Sequence, residues 1–268
     1  MEPIRVPAGK GIEWIGDGWR AFTAAPGMWI VLTVVWLLIF MATQFVPFVG
    51  ALAAQLIAPA LSGGLLLAAR ESLAGRPIDV AQLFQPLTDE ATRSPMLVLG
   101  AVFLVANLAV MLVAGGAAIG TVGMAFFHHP GAMMGPGGFD PSRMDPAMLM
   151  QMGVGVLLFL LLGTTLWLLI WILFYYAIPL VLFAGTEVST AMALSVRGLV
   201  RNWLPLLVLS VIWLLLSVLA TLPLLLGWLV LLPMTFGAWY ATYRDVFPQV
   251  AGAPAAESQA MPPGDTPA

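Results

Sequence analysis

Four long stretches of this 268-residue chain contain no charged side chain. They lie between Arg20 and Arg70, Arg93 and Asp140, Asp145 and Glu187, and Arg201 and Arg244. A helix needs about 20 apolar residues to cross the hydrocarbon of a bilayer, and the first and last stretches are each about twice that long. Each has a turn signal near its middle, Pro47 with Gly50 and Pro223 with Gly227, so each predicts a tight helical hairpin. The two central stretches predict one span each. The expected spans are 28–48, 51–69, 96–120, 154–174, 204–222 and 225–242. The fold class is therefore all-α, a polytopic helical membrane protein with six transmembrane helices. In lipid every backbone polar group must bond within its own segment, which selects helices. Membrane strands would alternate polar and apolar residues, and these segments do not.

Composition agrees. Only 9% of the residues are charged and 61% are hydrophobic, whereas a soluble domain carries about 25% charged residues. A water-exposed fold could not cover its surface with so few charges. Cysteine is absent, which excludes disulfide and thiol chemistry. The first 20 residues contain Glu2, Arg5, Lys10, Glu13, Asp17 and Arg20 and no apolar core, so the first hydrophobic segment is expected to be an uncleaved anchor. All ten basic residues except Arg143 fall on the side of the N-terminus. Because basic loops stay in the cytoplasm, this predicts that both termini are cytoplasmic. Arg in place of Lys, with abundant Ala, Gly and Pro, suggests a GC-rich bacterial genome, and hence a bacterial inner membrane.

Two amphipathic segments lead into the hairpins and are expected to lie in the interface. In the first, Ile12, Ile15, Trp19 and Phe22 form the apolar stripe, with Glu13, Asp17 and Arg20 opposite. In the second the stripe is Met192, Val196, Leu199, Val200 and Trp203, with Thr190, Arg197 and Arg201 opposite. Each unit thus reads interfacial helix, span, tight turn, span. Pro59, Gly63, Arg70 and Glu71 also share their spacing with Pro233, Gly237, Arg244 and Asp245. A parallel repeat of the outer hairpins would explain this; chance likeness between two Pro- and Gly-rich helices is the alternative. Residues 73–94 are polar, with a short surface helix expected near 80–84, and residues 248–268 read as a disordered cytoplasmic tail.

Candidate sites are few. The external loop, residues 124–152, is rich in Met and His. His128, His129, Met133 and Met134 offer the imidazole and thioether ligands that copper accepts. The competing reading is a plain flexible loop, followed by an interfacial helix from about Asp145 with Met148 and Met152 in lipid. Arg197 and Arg201, one turn apart, with Arg20 in the corresponding place of the first unit, are expected to hold anionic lipid headgroups or simply to anchor the topology. Gly116 and Gly120 form a G-x-x-x-G and are expected to serve helix packing, within one chain or between chains. Pro59, Pro179, Pro233 and Gly163 could break spans, as transporter sites require. No acid or base lies mid-membrane, which argues against a proton-driven pump. Phosphate-loop, zinc-protease, nucleophile-elbow and dinucleotide motifs are absent, so no enzyme activity and no cofactor is expected.

The run Val6-Pro7-Ala8-Gly9-Lys10-Gly11 leading to Trp14 and Trp19-Arg20-Ala21-Phe22, the segment Arg201-Asn202-Trp203-Leu204-Pro205, and the ending Tyr240-Ala241-Thr242-Tyr243-Arg244-Asp245-Val246-Phe247 occur in that order. Together they resemble a family of uncharacterised proteobacterial multi-pass inner-membrane proteins. The likeness covers about residues 5–247, apart from the Met-rich loop. A weaker likeness is to the membrane domain of some glycerophosphodiester phosphodiesterases, whose catalytic part is absent here. The resemblance implies fold and location without a mechanism. The expected role is a non-enzymatic membrane component that binds membrane lipids, a protein partner or a second copy of itself, with no nucleic acid. The alternative is a small-solute or copper transporter with the Met/His loop as its capture segment.

Overall fold

The computed structural model describes residues 1–128 and 146–251. They form helices α1 (Lys10–Ala24), α2 (Pro26–Gln44), α3 (Val49–Leu73), α4 (Ala81–Thr88), α5 (Glu90–His128), α6 (Pro146–Phe174), α7 (Ala177–Ala184), α8 (Val188–Arg201), α9 (Trp203–Thr221), α10 (Trp228–Val246) and α11 (Pro248–Ala251). No strand occurs among the described residues. Five segments are long and apolar enough to cross a membrane: Pro26–Gln44, Val49–Leu73, Glu90–Met124, Pro146–Ala184 and Trp203–Thr221. The protein is an all-α helical membrane protein. The sixth expected span, 225–242, coincides with α10, which has the length but less apolarity. Its surroundings differ from lipid: Phe236, Gly237, Ala238, Tyr240, Ala241, Thr242 and Tyr243 are buried among other helices, and Thr242 Oγ1 donates to the Trp239 carbonyl at 2.8 Å.

Two compact units make up the chain, Met1–Gly100 with Leu173–Ala268, and Ala101–Ile172. In the first, α3 and α10 are the inner helices, each the second arm of a hairpin. Over half of the apolar window of α3 is buried (56%), against 17% for α2 and 11% for α9. Both hairpins close in the same way. Gly50 lies against the backbone of Thr43, and Gly227 lies against Ala220, in each case seven residues earlier. Only a residue without Cβ permits that approach. Bulky residues next to these glycines adopt positive φ, Phe48 at 60°, Leu224 at 50° and Leu225 at 68°. In the second unit, α5 and α6 cross at Gly155, which meets Thr121 and Val122. Apolar side chains such as Met111, Leu112, Ile119, Leu160 and Trp167 stand exposed along both helices, as a lipid-facing surface requires.

The helices that lead into the hairpins form as expected, and the faces they turn to other helices were not assigned by the sequence. On α1, Ile12 and Trp19 are exposed, while Gly11, Trp14, Gly18 and Ala21 are buried. The small residues win because they let α1 lie directly on α10: Cβ positions built on Gly237 would meet Gly18 Cα at 2.9 Å and Ala21 Cβ at 2.8 Å. Asp17, read as part of the outer polar face, is 5% exposed. On α8 Val200 is exposed, as is Trp203 at the start of α9, and Ala191, Leu194, Ser195 and Gly198 are buried. The polar connection after α3 does form a helix, α4, but Leu83 is fully buried against Gly64 rather than lying on the surface. Residues 248–251 form one further helical turn after a fully buried Phe247; the rest of the expected tail lies outside the described residues.

Candidate functional site: the interfacial arginines

The basic side chains divide into two groups. Lys10 pairs with Glu13 and Asp245, Arg20 with Asp17, Arg70 and Arg76 with Glu71, and Arg244 with Asp17 and Asp245. Arg5, Arg93, Arg197 and Arg201 have no carboxylate partner among the described residues. The expected headgroup trio is therefore split. Arg20 is held by Asp17, whereas Arg197 and Arg201 are exposed and unpaired on α8.

Local structure sets their position. Gly185, in the left-handed conformation at φ 59°, ends α7, and the Thr186 N–H donates to the Leu180 carbonyl at 3.2 Å. The chain then turns directly into α8. A cavity of 530 Å³ runs along the first turns of α8, lined by Met1, Thr186, Ser189, Thr190, Ala193 and Leu194, with Arg197 at one end. At the other end of α8, Asn202 captures the N-terminal segment. Its Oδ1 accepts from the Val6 N–H at 2.8 Å, and its Nδ2 donates to the Ile4 carbonyl at 2.9 Å. Arg5, exposed between those two bonded residues, is thereby brought beside the residue that follows Arg201. Sequence reasoning counted Arg5 as a topological charge and missed this placement. The signal was the side chain of Asn202, whose reach across almost the whole chain cannot be read from spacing.

A second polar group lies where α1 meets the end of α10. Asp17 accepts from Arg20 and, at 2.9 Å, from Arg244 Nη2. Asp245 accepts from Trp14 Nε1 at 3.1 Å and from Arg244 Nε at 2.9 Å, and faces Lys10 Nζ at 3.4 Å. Burial alone would raise the Asp245 pKa. The hydrogen bond and charge of Arg244, the Trp14 donor and the Lys10 charge outweigh it, and the carboxyl titrates below the ordinary aspartate value. A carboxyl whose pKa is lower folded than unfolded adds stability above the unfolded value and loses it as pH falls through the folded one. Thermal stability in detergent should therefore be level near neutrality and fall below about pH 4, the unfolded aspartate range. Asp245→Asn should flatten that acid limb, and an unchanged limb in the variant would refute the assignment.

The Pro179 break is real, and it is already filled. Helix α6 ends at Phe174 and α7 starts at Ala177. Proline has no N–H to return to the carbonyl four residues back, here that of Tyr175. Trp239 Nε1 donates to that carbonyl at 2.7 Å. The Tyr176 N–H donates to Ser195 Oγ at 3.0 Å, and the Tyr175 hydroxyl lies 3.2 Å from Thr242 Oγ1. Backbone groups that a transporter would offer to a substrate are taken by side chains of α8 and α10. All four tyrosines of the chain belong to this region: Tyr175 stacks on Trp239, Tyr176 meets Phe247 edge-on, and Tyr240 and Tyr243 flank Phe183. Arg70 lies 5.0 Å over the Phe183 ring.

The remaining candidates stand apart from these groups. His128 is exposed at the end of α5, while His129, Met133 and Met134 lie outside the described residues. No group of three His, Cys, Asp or Glu side chains able to hold a metal occurs among the described residues. Met148 is fully buried in the first turns of α6, a continuous part of that helix. Gly116 and Gly120 have no other part of the described chain within 4 Å of their Cβ positions, so nothing within the unit uses the G-x-x-x-G face for close packing. No protein-family model, curated protein or solved structure matches the chain.

Proposed function

We propose that this is a non-enzymatic multi-pass protein of the bacterial inner membrane that binds anionic lipid at the cytoplasmic interface through Arg197 and Arg201. The observation that carries this reading is the sorting of charges. Four of the eight described arginines, Arg20, Arg70, Arg76 and Arg244, are neutralised by carboxylates of the same chain, while among the four that are not, Arg197 and Arg201 are exposed and one turn apart on a single helix. Exposed Val200 and Trp203 sit beside them, the amphipathic mix that settles at headgroup depth. Each basic residue near an anionic surface adds about 1 kcal/mol of attraction. Native mass spectrometry of the purified protein should show retained anionic lipid, reduced roughly thirtyfold in Arg197→Ala/Arg201→Ala if each charge contributes about that much. Equal retention by wild type and variant would overturn the proposal.

The proposed orientation rests on the basic residues gathered on the N-terminal side. Because the chain has no cysteine, single cysteines report cleanly. Ser142→Cys should react with an impermeant thiol reagent on spheroplasts and Ser258→Cys should not. The reverse pattern would place the termini outside.

A further inference from the structure

We infer that the cavity along α8 takes a phosphodiester headgroup that carries free hydroxyls, a glycerol-type headgroup, with its phosphate on Arg197. This rests on the reading of Arg197 as a lipid contact and adds the class of lipid. Apart from Met1, which comes from the N-terminal segment, the lining residues Thr186, Ser189, Thr190, Ala193, Leu194 and Arg197 recur at three- and four-residue steps, so they form one continuous face of α8 and the turn before it. That face is not chemically uniform. Its far end holds the unpaired guanidinium of Arg197, its near end holds three hydroxyl side chains, and Ala193 with Leu194 makes an apolar floor between them.

A guanidinium recognises a phosphate oxygen pair by two parallel hydrogen bonds. The hydroxyls are suited to a different group. Ser189 Oγ already donates to Glu187 Oε1 at 2.9 Å, so toward the cavity it presents lone pairs, which accept from a ligand hydroxyl. Thr186 Oγ1 lies 3.8 Å from Met1 Sδ, a weak acceptor, and keeps its own acceptor capacity. Thr190 makes no hydrogen bond through its side chain to any described residue, and it is exposed. A ligand with hydroxyl groups both gives and accepts hydrogen bonds and matches such a wall. The Glu187 carboxylate behind Ser189 works against the second negative charge of a phosphomonoester placed there. Along a helix the axial rise from Ser189 to Arg197 is about 12 Å, a span that the long Arg197 side chain shortens toward the length of a glycerophosphate headgroup. The cavity volume of 530 Å³ exceeds what such a headgroup needs and leaves room for its glycerol backbone.

The test uses the full chain in nanodiscs of neutral phosphatidylcholine doped in separate experiments with phosphatidylglycerol, phosphatidic acid or phosphatidylethanolamine, with lipid enrichment read by native mass spectrometry on release. Soluble glycerol 3-phosphate and inorganic phosphate serve as competitors. Wild type should enrich phosphatidylglycerol over both other lipids. Ser189→Ala/Thr190→Val, at two exposed positions, should lower the phosphatidylglycerol preference by roughly fivefold, the loss of one or two neutral hydrogen bonds. It should leave binding of phosphatidic acid unchanged. Arg197→Ala should reduce all anionic lipids together. If the hydroxyl variant keeps the full preference while Arg197→Ala loses lipid, the headgroup assignment fails and the lipid reading survives. If Arg197→Ala changes nothing, both fail. Preference for phosphatidylethanolamine would overturn the assignment by making the Glu187 side an ammonium site. Displacement of lipid by millimolar glycerol 3-phosphate or phosphate alone would show that the cavity binds the free anion and would likewise overturn it.

Discussion

Gly18→Ala should destabilise the folded protein by about 2–3 kcal/mol, the usual cost of forcing atoms into a packed contact, while Gly16→Ala two residues earlier should be neutral or stabilising by up to about 1 kcal/mol. A methyl group at Gly18 would collide with the backbone carbonyl of Met234 on α10, and backbone cannot step aside as a side-chain tip can. A methyl at Gly16 meets nothing within 4 Å. Both substitutions improve helix propensity equally, so the difference between them isolates the α1–α10 contact. The check is a pair of thermal melts in the same detergent. Equal melting temperatures for the two variants would mean that α1 does not lie on α10.

The second large effect is expected at Asp17. Its side chain is 7% exposed and holds Arg244, itself 38% exposed, from a position on α1. Removing one partner of a buried pair costs about 3–5 kcal/mol because the other charge is left without compensation. The partial exposure of Arg244 lowers that figure, and Asp17→Ala is expected to cost about 2 kcal/mol. Arg244→Met on the Asp17→Ala background should cost less than on the wild type, since the ion pair with Asp17 is already lost and only that with Asp245 remains to be broken. Additive losses in that double-mutant cycle would show that the two side chains do not interact. The site itself gives a second reading of the same variant: Arg20, released from Asp17, would join the unpaired basic surface.

Which parts of this arrangement were legible in the sequence follows from the kind of interaction that decides each. The charge-free runs and turn signals depend on local composition alone, and the helices fall where they predict, with α2 ending at Gln44 and α3 starting at Val49 around Pro47. The unpaired state of Arg197 and Arg201 was not legible, because it depends on which carboxylates reach which arginines in space. Hydrophobic periodicity placed the apolar stripe of α1 in the interface and did not show which residues α1 turns to its protein neighbours. In water an apolar stripe marks the inner face; in lipid the outside is apolar too, so Ile12 and Trp19 face outward while Gly11, Gly18 and Ala21 permit the close contact within. The pairing of Asp17 was not legible because its partner, Arg244, is 227 residues away. The break at Tyr175 was suggested by Pro179, but not its filling, since Trp239, Ser195 and Thr242 come from two later helices.

That filling has a consequence for how the chain is made. Pro179 leaves the Tyr175 carbonyl without a helical donor from the moment α7 forms, and the indole that satisfies it belongs to α10, about 60 residues further along. The earliest helix waits as well, because α1 rests on Gly237 and Arg244 of the same late segment. During synthesis the first hairpin is therefore expected to enter the bilayer with its inner face uncovered until α10, the last long helix among the described residues, closes both seams. A nascent chain arrested before α10 should be an orphan that membrane proteases clear, and α10 expressed separately should rescue it. In that case α10 would be the keystone of assembly.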